Sequence, residues 1–277
     1  MKTTNNLSVL IYLILFVINC LNPIRGISQD QQSYYPTLKG KNILFVYGGM
    51  KGHKPAESVD LMVPKLRAEG ANVKISNKLS VYTNEKLMSE TDLIIQTWTL
   101  GKITKKQFEG LQNAVMNGTG LAGWHGGLGD AFRDNLKFQF MVGGQFLSHP
   151  GGQIDHSITI IDNNDPITNG LEDFDLKKTE QYYMLIDPNI KVLAISEFER
   201  ENYEKPGNHE NNITGSTMPV VWKKNYGKGR IFYSSIGHHL TEFKVPEVMT
   251  MQMRGFRWAS EGKYSEIEQT ITPVYSK

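Results

Sequence analysis

The chain has 277 residues, with 30 Lys and Arg against 28 Asp and Glu, and 39% of it is hydrophobic. That apolar content excludes a disordered chain and is ample for a sizeable core. A formal charge of +2 with no long basic run argues against a nucleic-acid partner.

Residues 1–26 read as an export signal. Lys2 and a polar start lead into an apolar run from Leu7 to Ile18, broken only by Ser8. About a dozen residues is too short for a membrane span and suits a signal-peptide h-region. A buried N-terminal helix is the competing reading, but the polar Gln29–Ser33 that follows fits a linker over residues 27–40 better. Cys20, just after the run, stands where bacterial lipoproteins carry their lipidated cysteine, although Asn19 occupies a position that motif fills with a small residue. Cleavage by the ordinary peptidase near Gly26 is the alternative. The expected location is the periplasm or a lipid anchor in the outer membrane, and Cys20 is the sole expected membrane contact. Cys20 is the only cysteine, so the folded part has neither a disulfide framework nor a thiol nucleophile.

One domain is expected over residues 41–262, with a C-terminal tail at 263–277. Its first strand is the buried run Asn42–Val46, ending in the glycine-rich turn Tyr47–Pro55 that carries His53. A helix over 56–69 follows, with Pro64 inside it and Gly70 as its stop. Asn72–Ser76 and Asp92–Gln96 read as strands. Thr104 and Gln107 make a capping box for a helix that runs to Asn117-Gly118. Leu121–Trp124 is the fourth strand. This alternation predicts an α/β fold with a mostly parallel central sheet and helices on both faces. Ligands gather at the carboxyl ends of such strands, so the loops after Tyr47, Gln96 and Trp124 should converge.

The second half reads differently. Asp155–Ile161 alternates as a half-buried strand, placing His156 with Ile158 and Ile160. Val192–Ser196 is strand-like, Arg200–Thr217 reads as a polar loop, and Met218–Lys224 with Arg230–Ser234 form a hairpin that delivers Gly237-His238-His239. Pro246–Ala259 is a closing amphipathic helix.

Chemistry concentrates in Gly120–Gly152. Gly123-Trp124-His125-Gly126-Gly127 has the form of a nucleophile elbow with histidine at its centre. His125 is there a general base, a metal ligand, or a turn residue bonding a carbonyl. His53, His125, His149 and His238 all sit in glycine- or proline-marked loops, where functional residues concentrate. Three imidazoles with Glu180 would suit zinc or another borderline divalent ion, with His125, His149 and His238 as the ligand set. No pair has the tight spacing of a known metal motif. Trp98, Trp124 and Tyr182 are candidates to line a sugar pocket, with core packing as the alternative. Asp130 and Arg133 would bond a polyol, or cap and flank a short helix. Trp222 and Trp258 are assigned to the core, and Ser234-Ser235 lacks a triad pattern.

The blocks GLAGWHGG, DAFR, GGQFLSHPGG, TEQYYM and MPVVWKKNYGKGRIFYSSIGH, with the last helix, resemble the ThuA-like family, named for trehalose utilisation, from Asn42 to Ala259. The resemblance implies a flavodoxin-like three-layer sandwich close to class I glutamine amidotransferases. It puts His125 where those enzymes keep a cysteine, so amidotransferase chemistry is not implied. It implies a role in disaccharide or glycoside catabolism, on a sugar or a 3-keto sugar, and recurrent polar positions at His53, His125, His149, Glu180 and His238. The expectation is a sugar-processing enzyme with His125, Glu180 and His238 as its catalytic groups. A carbohydrate-binding protein without catalysis, on an amidotransferase-like scaffold, is the alternative.

Overall fold

A computed structural model describes residues 37–203 and 212–266. The expected leader, Cys20 and His209 lie outside them. All the described residues fall in one compact unit. In chain order the elements are β1 (Asn42–Gly49), α1 (Pro55–Ala68), β2 (Asn72–Ser76), α2 (Glu85–Glu90), β3 (Leu93–Thr99), α3 (Lys105–Met116) and β4 (Gly120–Trp124). Then come α4 (Gly126–Gly129), α5 (Leu136–Val142), β5 (Gly144–Ser148), β6 (Gln153–Ile160), β7 (Phe174–Glu180), β8 (Tyr183–Ile186) and β9 (Lys191–Glu197). The chain continues through α6 (Arg200–Tyr203), β10 (Thr217–Tyr226), β11 (Gly229–Ser234) and α7 (Pro246–Ala259).

The main sheet has the order β2-β1-β3-β4-β11-β10-β9-β6-β7. The first five strands are parallel neighbours, which is the flavodoxin-like order with β11 as its fifth strand. From β11 outward the pairing is antiparallel. Alternation along the parallel strands divides the apolar residues between two layers. Ile43, Phe45, Leu93, Ile95, Ala122 and Phe232 pack with α1 and α7, while Leu44, Val46, Ile94, Leu121 and Ile231 pack with α2, α3 and α5. Each such fully buried Ile, Leu or Phe contributes about 1.5–3 kcal/mol by leaving water.

Local sequence sets the helix ends. Pro55 opens α1, Gly70 at φ +87° follows it, and the helix continues through Pro64. The capping box of α3 is formed, with Thr104 Oγ1 accepting from Gln107 N at 3.3 Å and Gln107 Oε1 accepting from Thr104 N at 2.9 Å. Two features were not read from the sequence and one differs from it. Glu85–Glu90 is helical. Gly144–Ser148 pairs with Tyr183–Ile186 as a separate two-stranded ribbon. The expected polar loop at 200–217 begins with the short helix α6. No helix among the described residues is long and apolar enough to cross a membrane.

One topological detail positions the site. β6 pairs with β9 only through Thr159 and Ile160, but with β7 along most of its length. The β6–β7 ribbon is therefore joined to the sheet at one end. Its other end, where Gln153 pairs with Glu180, meets the carboxyl edge of the parallel strands through Gln153–His238 and Glu180–His125 contacts.

Candidate functional site

Three of the four histidine loops follow strands β1, β4 and β11, so their carboxyl ends bring the imidazoles together. His53 and His125 have ring centroids 4.8 Å apart, and His125 and His238 5.2 Å. Glu180, the last residue of β7, reaches the same point: Oε2 lies 3.2 Å from both His125 Nε2 and His238 Nδ1. One potential ligand atom from each of His53, His125, Glu180 and His238 lies within 4.8 Å of all the others.

The turn after β4 carries the arrangement. His125 has φ +47° and ψ −140°, a conformation that β-carbon-bearing residues rarely adopt. It is held by its own backbone: N donates to Ser234 O at 2.7 Å, and O accepts from Gly129 N at 3.0 Å and from Tyr233 Oη at 3.1 Å. Gly126 must be small, because a Cβ there would stand 2.8 Å from the His53 ring and 2.9 Å from Thr99 Cγ2. A Cβ on Gly127 would stand 2.6 Å from Thr97 Cα.

Hydrogen bonding fixes the orientation of the His125 ring. Nδ1 lies 2.9 Å from the Ser235 carbonyl, which can only accept, so Nδ1 carries a proton. Nε2 is thereby aimed into the cluster, 2.7 Å from Tyr182 Oη and 3.3 Å from His238 Nδ1. The carbonyl-bonding role and the functional role weighed for His125 thus belong to its two nitrogens. Tyr182 is buried and stacked on the ring at 4.1 Å. Burial, with negative charge nearby, raises its phenol well above the usual range, so it stays protonated, 2.7 Å from His125 Nε2.

The charges follow from the same contacts. Burial opposes ionisation of Glu180, but its contacts with the His125 and His238 rings outweigh it and hold the carboxyl below the usual carboxylate range. Burial lowers His53 to about 4, helped by repulsion from His125, so His53 is neutral near pH 7. Its Nδ1 is 2.9 Å from Thr99 Oγ1. Beneath the rings lies a cavity of about 10 Å³ bordered by His53, His125 and the unpartnered Thr97 Oγ1, roughly the room of one water. Larger concavities of about 550 and 500 Å³ lie along α3 and touch no imidazole of the cluster.

The other candidates fall around this centre. His149 stands outside the four, with Nε2 3.6 Å from Glu180 Oε1 and its side chain 43% exposed. The metal trio expected from sequence is therefore not the set that converges; His53 and Glu180 take the place of His149. Arg133 forks onto the buried Asp130, Nε to Oδ1 at 2.5 Å and Nη2 to Oδ2 at 3.0 Å, and sits over Phe146. Burial raises the Asp130 carboxyl against the lowering effect of that fork. The two tryptophans pack mainly against the core. Trp124 is buried against Phe45, Phe243 and Phe256, and Trp98 turns to the α3 side of the sheet against Gly48 and Gly101. Alternation along β3 and β4 points their rings toward the two cores, and Trp124 also borders the small cavity beside His53 and His125. His156, Trp222 and Trp258 are buried as expected.

Two partners were not foreseen. Gln153 Nε2 lies 2.9 Å from His238 Nε2, and its Oε1 lies 3.4 Å from His239 Nε2. Glu242, 7% exposed, accepts from Gly237 N at 2.8 Å, from His239 N at 2.8 Å and from Thr179 Oγ1 at 2.6 Å. It ties the His238 loop to the neighbour of Glu180. In sequence, Glu242 shows only as an N3 glutamate three residues after His239, a helix-start signal rather than a site signal.

Fold and site together define a flavodoxin-like α/β protein with a histidine–carboxylate cluster at the carboxyl edge of its parallel strands. The ThuA model, described as trehalose utilisation, matches residues 42–259. The chain belongs to the ThuA family, and its function is carbohydrate-related at the level of that family. A putative ThuA-like protein from Bacteroides uniformis is 19% identical and superposes with a TM-score of 0.66 over 79% of this chain and 91% of its own. A second, from Parabacteroides merdae, is 18% identical with a TM-score of 0.64 over 85% and 96%. A glutamine amidotransferase from Thermotoga maritima is 9% identical with a TM-score of 0.44 over 80% and 90%. The likeness to the two ThuA-like structures is one of fold. No curated protein matches the chain in sequence.

Proposed function

We propose that the protein is an exported enzyme of disaccharide or glycoside catabolism that acts on a carbonyl-bearing sugar, such as a 3-keto sugar. The observation that carries the reading is an ionised carboxylate, Glu180, held between two imidazoles where the parallel strands end. A cation drawn to a carboxylate so placed, whether a proton or a metal ion, would polarise a sugar carbonyl docked against it. Tyr182, held protonated beside His125, would turn its hydroxyl hydrogen toward a docked carbonyl oxygen as a hydrogen-bond donor. His149 is half-exposed on the other oxygen of Glu180 and is the imidazole best placed to exchange a proton with a ligand at the mouth. Arg133, on its Asp130 anchor, would meet sugar hydroxyls. Export rests on the N-terminal apolar run, and the intact mass of the mature protein reads cleavage or a lipid on Cys20.

The test is turnover of a panel of 3-keto-disaccharides and their parent sugars, with calorimetric binding alongside. The expected result is consumption of keto-sugar, reduced roughly 10²–10⁴-fold in His125→Ala and Glu180→Gln with sugar still bound. Binding without turnover by the unaltered protein would leave a carbohydrate-binding protein instead.

A further inference from the structure

The carboxylate and imidazoles of that centre converge on a place suited to a cation. We infer that this cation is a divalent transition-metal ion, held by His53, His125, Glu180 and His238. This deepens the proposed function, since the ion would polarise the carbonyl, but the geometry for it stands independently of the sugar.

The four side chains differ from an ordinary histidine cluster in where their other atoms go. Metal-bound imidazoles characteristically engage the second ring nitrogen with an outer polar group, which sets tautomer and ring orientation. Each of the three has such a partner outside the centre. His125 donates Nδ1–H to Ser235 O at 2.9 Å, His53 Nδ1 meets Thr99 Oγ1 at 2.9 Å, and His238 Nε2 meets the Gln153 amide at 2.9 Å. The nitrogens left over are His53 Nε2, His125 Nε2 and His238 Nδ1. A half-turn of the Gln153 amide puts its oxygen on His238 Nε2–H, which bares Nδ1 for a metal.

Spacing agrees with the assignment. Bonds of about 2.0–2.2 Å place neighbouring ligand atoms of one ion roughly 3–4 Å apart. Glu180 Oε2 is 3.2 Å from His125 Nε2 and from His238 Nδ1, those two nitrogens are 3.3 Å apart, and all four groups fall within 4.8 Å. Lone pairs brought this close to a carboxylate repel unless a cation lies among them. Three imidazoles and one carboxylate favour a borderline ion of the zinc, cobalt or nickel kind over calcium or magnesium, which want mostly oxygen. His149 is not a ligand; it faces Glu180 from the exposed side. Tyr182 then has a second task. Its hydroxyl and the ion compete for the lone pair of His125 Nε2, so an ion in place releases that hydroxyl toward a bound sugar oxygen.

The experiment uses the mature full-length protein. It is stripped with chelator and dialysed against Zn²⁺ or Co²⁺, then metal per chain is measured by mass spectrometry and the Co²⁺ visible spectrum is recorded. One ion per chain is expected in the unaltered protein, in His149→Ala and in Tyr182→Phe. Background levels are expected in Glu180→Gln and His238→Ala, whose folding is checked by circular dichroism. His238→Ala removes a loop side chain and Glu180→Gln keeps side-chain size, so two folded variants are available. No ion in the folded unaltered protein, or equal loading in both ligand variants, overturns the inference. The charge would then be a proton, and keto-sugar turnover without metal would leave the proposed function intact.

Discussion

Glu242 offers the sharpest test of how the site is held, because it touches neither of the groups it positions. Its Oε1 accepts from Thr179 Oγ1 and His239 N, and its Oε2 accepts from Gly237 N. The change Glu242→Gln keeps the volume and swaps one acceptor oxygen for an N–H₂ group. Whichever oxygen is replaced, a donor then faces a backbone N–H, and rotating the amide only moves the conflict. One charge-assisted bond is lost at about 1.5–3 kcal/mol, and the others lose their charge assistance. A total of about 2–4 kcal/mol lowers the melting temperature by roughly 5–10 °C in a chain of this size. Because Thr179 precedes Glu180 and Gly237 precedes His238, the damage should also reach chemistry. Outer partners of this kind are worth roughly 10–100-fold in activity or metal affinity. Thermal unfolding followed by circular dichroism, with keto-sugar turnover on the same preparation, reads both. A melting temperature within about 1 °C of the unaltered protein, with unchanged turnover, would refute the positioning role.

Two further outcomes follow from single contacts. His156 is buried on β6 with Nδ1 unpartnered, and burial lowers its pKa from 6.5 to about 4. The unfolded chain therefore binds the proton more readily, so His156 costs nothing above pH 6.5 and destabilises as pH falls through 6.5 toward 4, by about 2 kcal/mol at pH 5. His53 titrates with the same sign, so the informative quantity is the difference between the protein and His156→Leu in urea unfolding at pH 7 and pH 5. A variant with the same pH slope would sink the assignment. Gly126→Ala would drive a Cβ into His53 and Thr99, at an expected cost of about 1–3 kcal/mol and a loss of turnover larger than the stability change explains. Unchanged turnover would show that His53 has room to move.

What the sequence made legible was what short-range pattern encodes. The buried runs at 43–46, 93–96 and 121–124 had to be strands between amphipathic segments, and their order forces three histidine loops to one edge. The glycines beside His125 signalled an elbow for a steric reason the structure makes plain. Direction within a strand is legible from alternation: Trp124 neighbours His125, and β4 sends its ring into the α1–α7 core while one edge borders the small cavity by His125. The two-stranded ribbon of β5 and β8 has no local signature, because it depends on pairing residues some forty positions apart. Gln153 and Glu242 were invisible for a similar reason. Their partners lie 85 and 63 residues away, at His238 and Thr179. Polar residues at the start of a strand or in a turn look like surface until the partner is known.

The elbow also explains why the imidazole in this position has to act through a partner. Holding His125 at positive φ costs of order 1–3 kcal/mol, and the surrounding glycines and three backbone hydrogen bonds exist to sustain it. In a nucleophile elbow that strain exposes a group which attacks by itself. An imidazole whose Nδ1 is committed to a carbonyl presents only a lone pair, at Nε2, to whatever stands opposite. Opposite stand a carboxylate, a second imidazole and a buried phenol, none of which is an electrophile. The strained turn is therefore useful only if something electron-poor enters between them, whether a proton, an ion, or the carbonyl carbon and oxygen of a sugar polarised by one of these. That requirement joins the site's geometry to the carbohydrate role of its family.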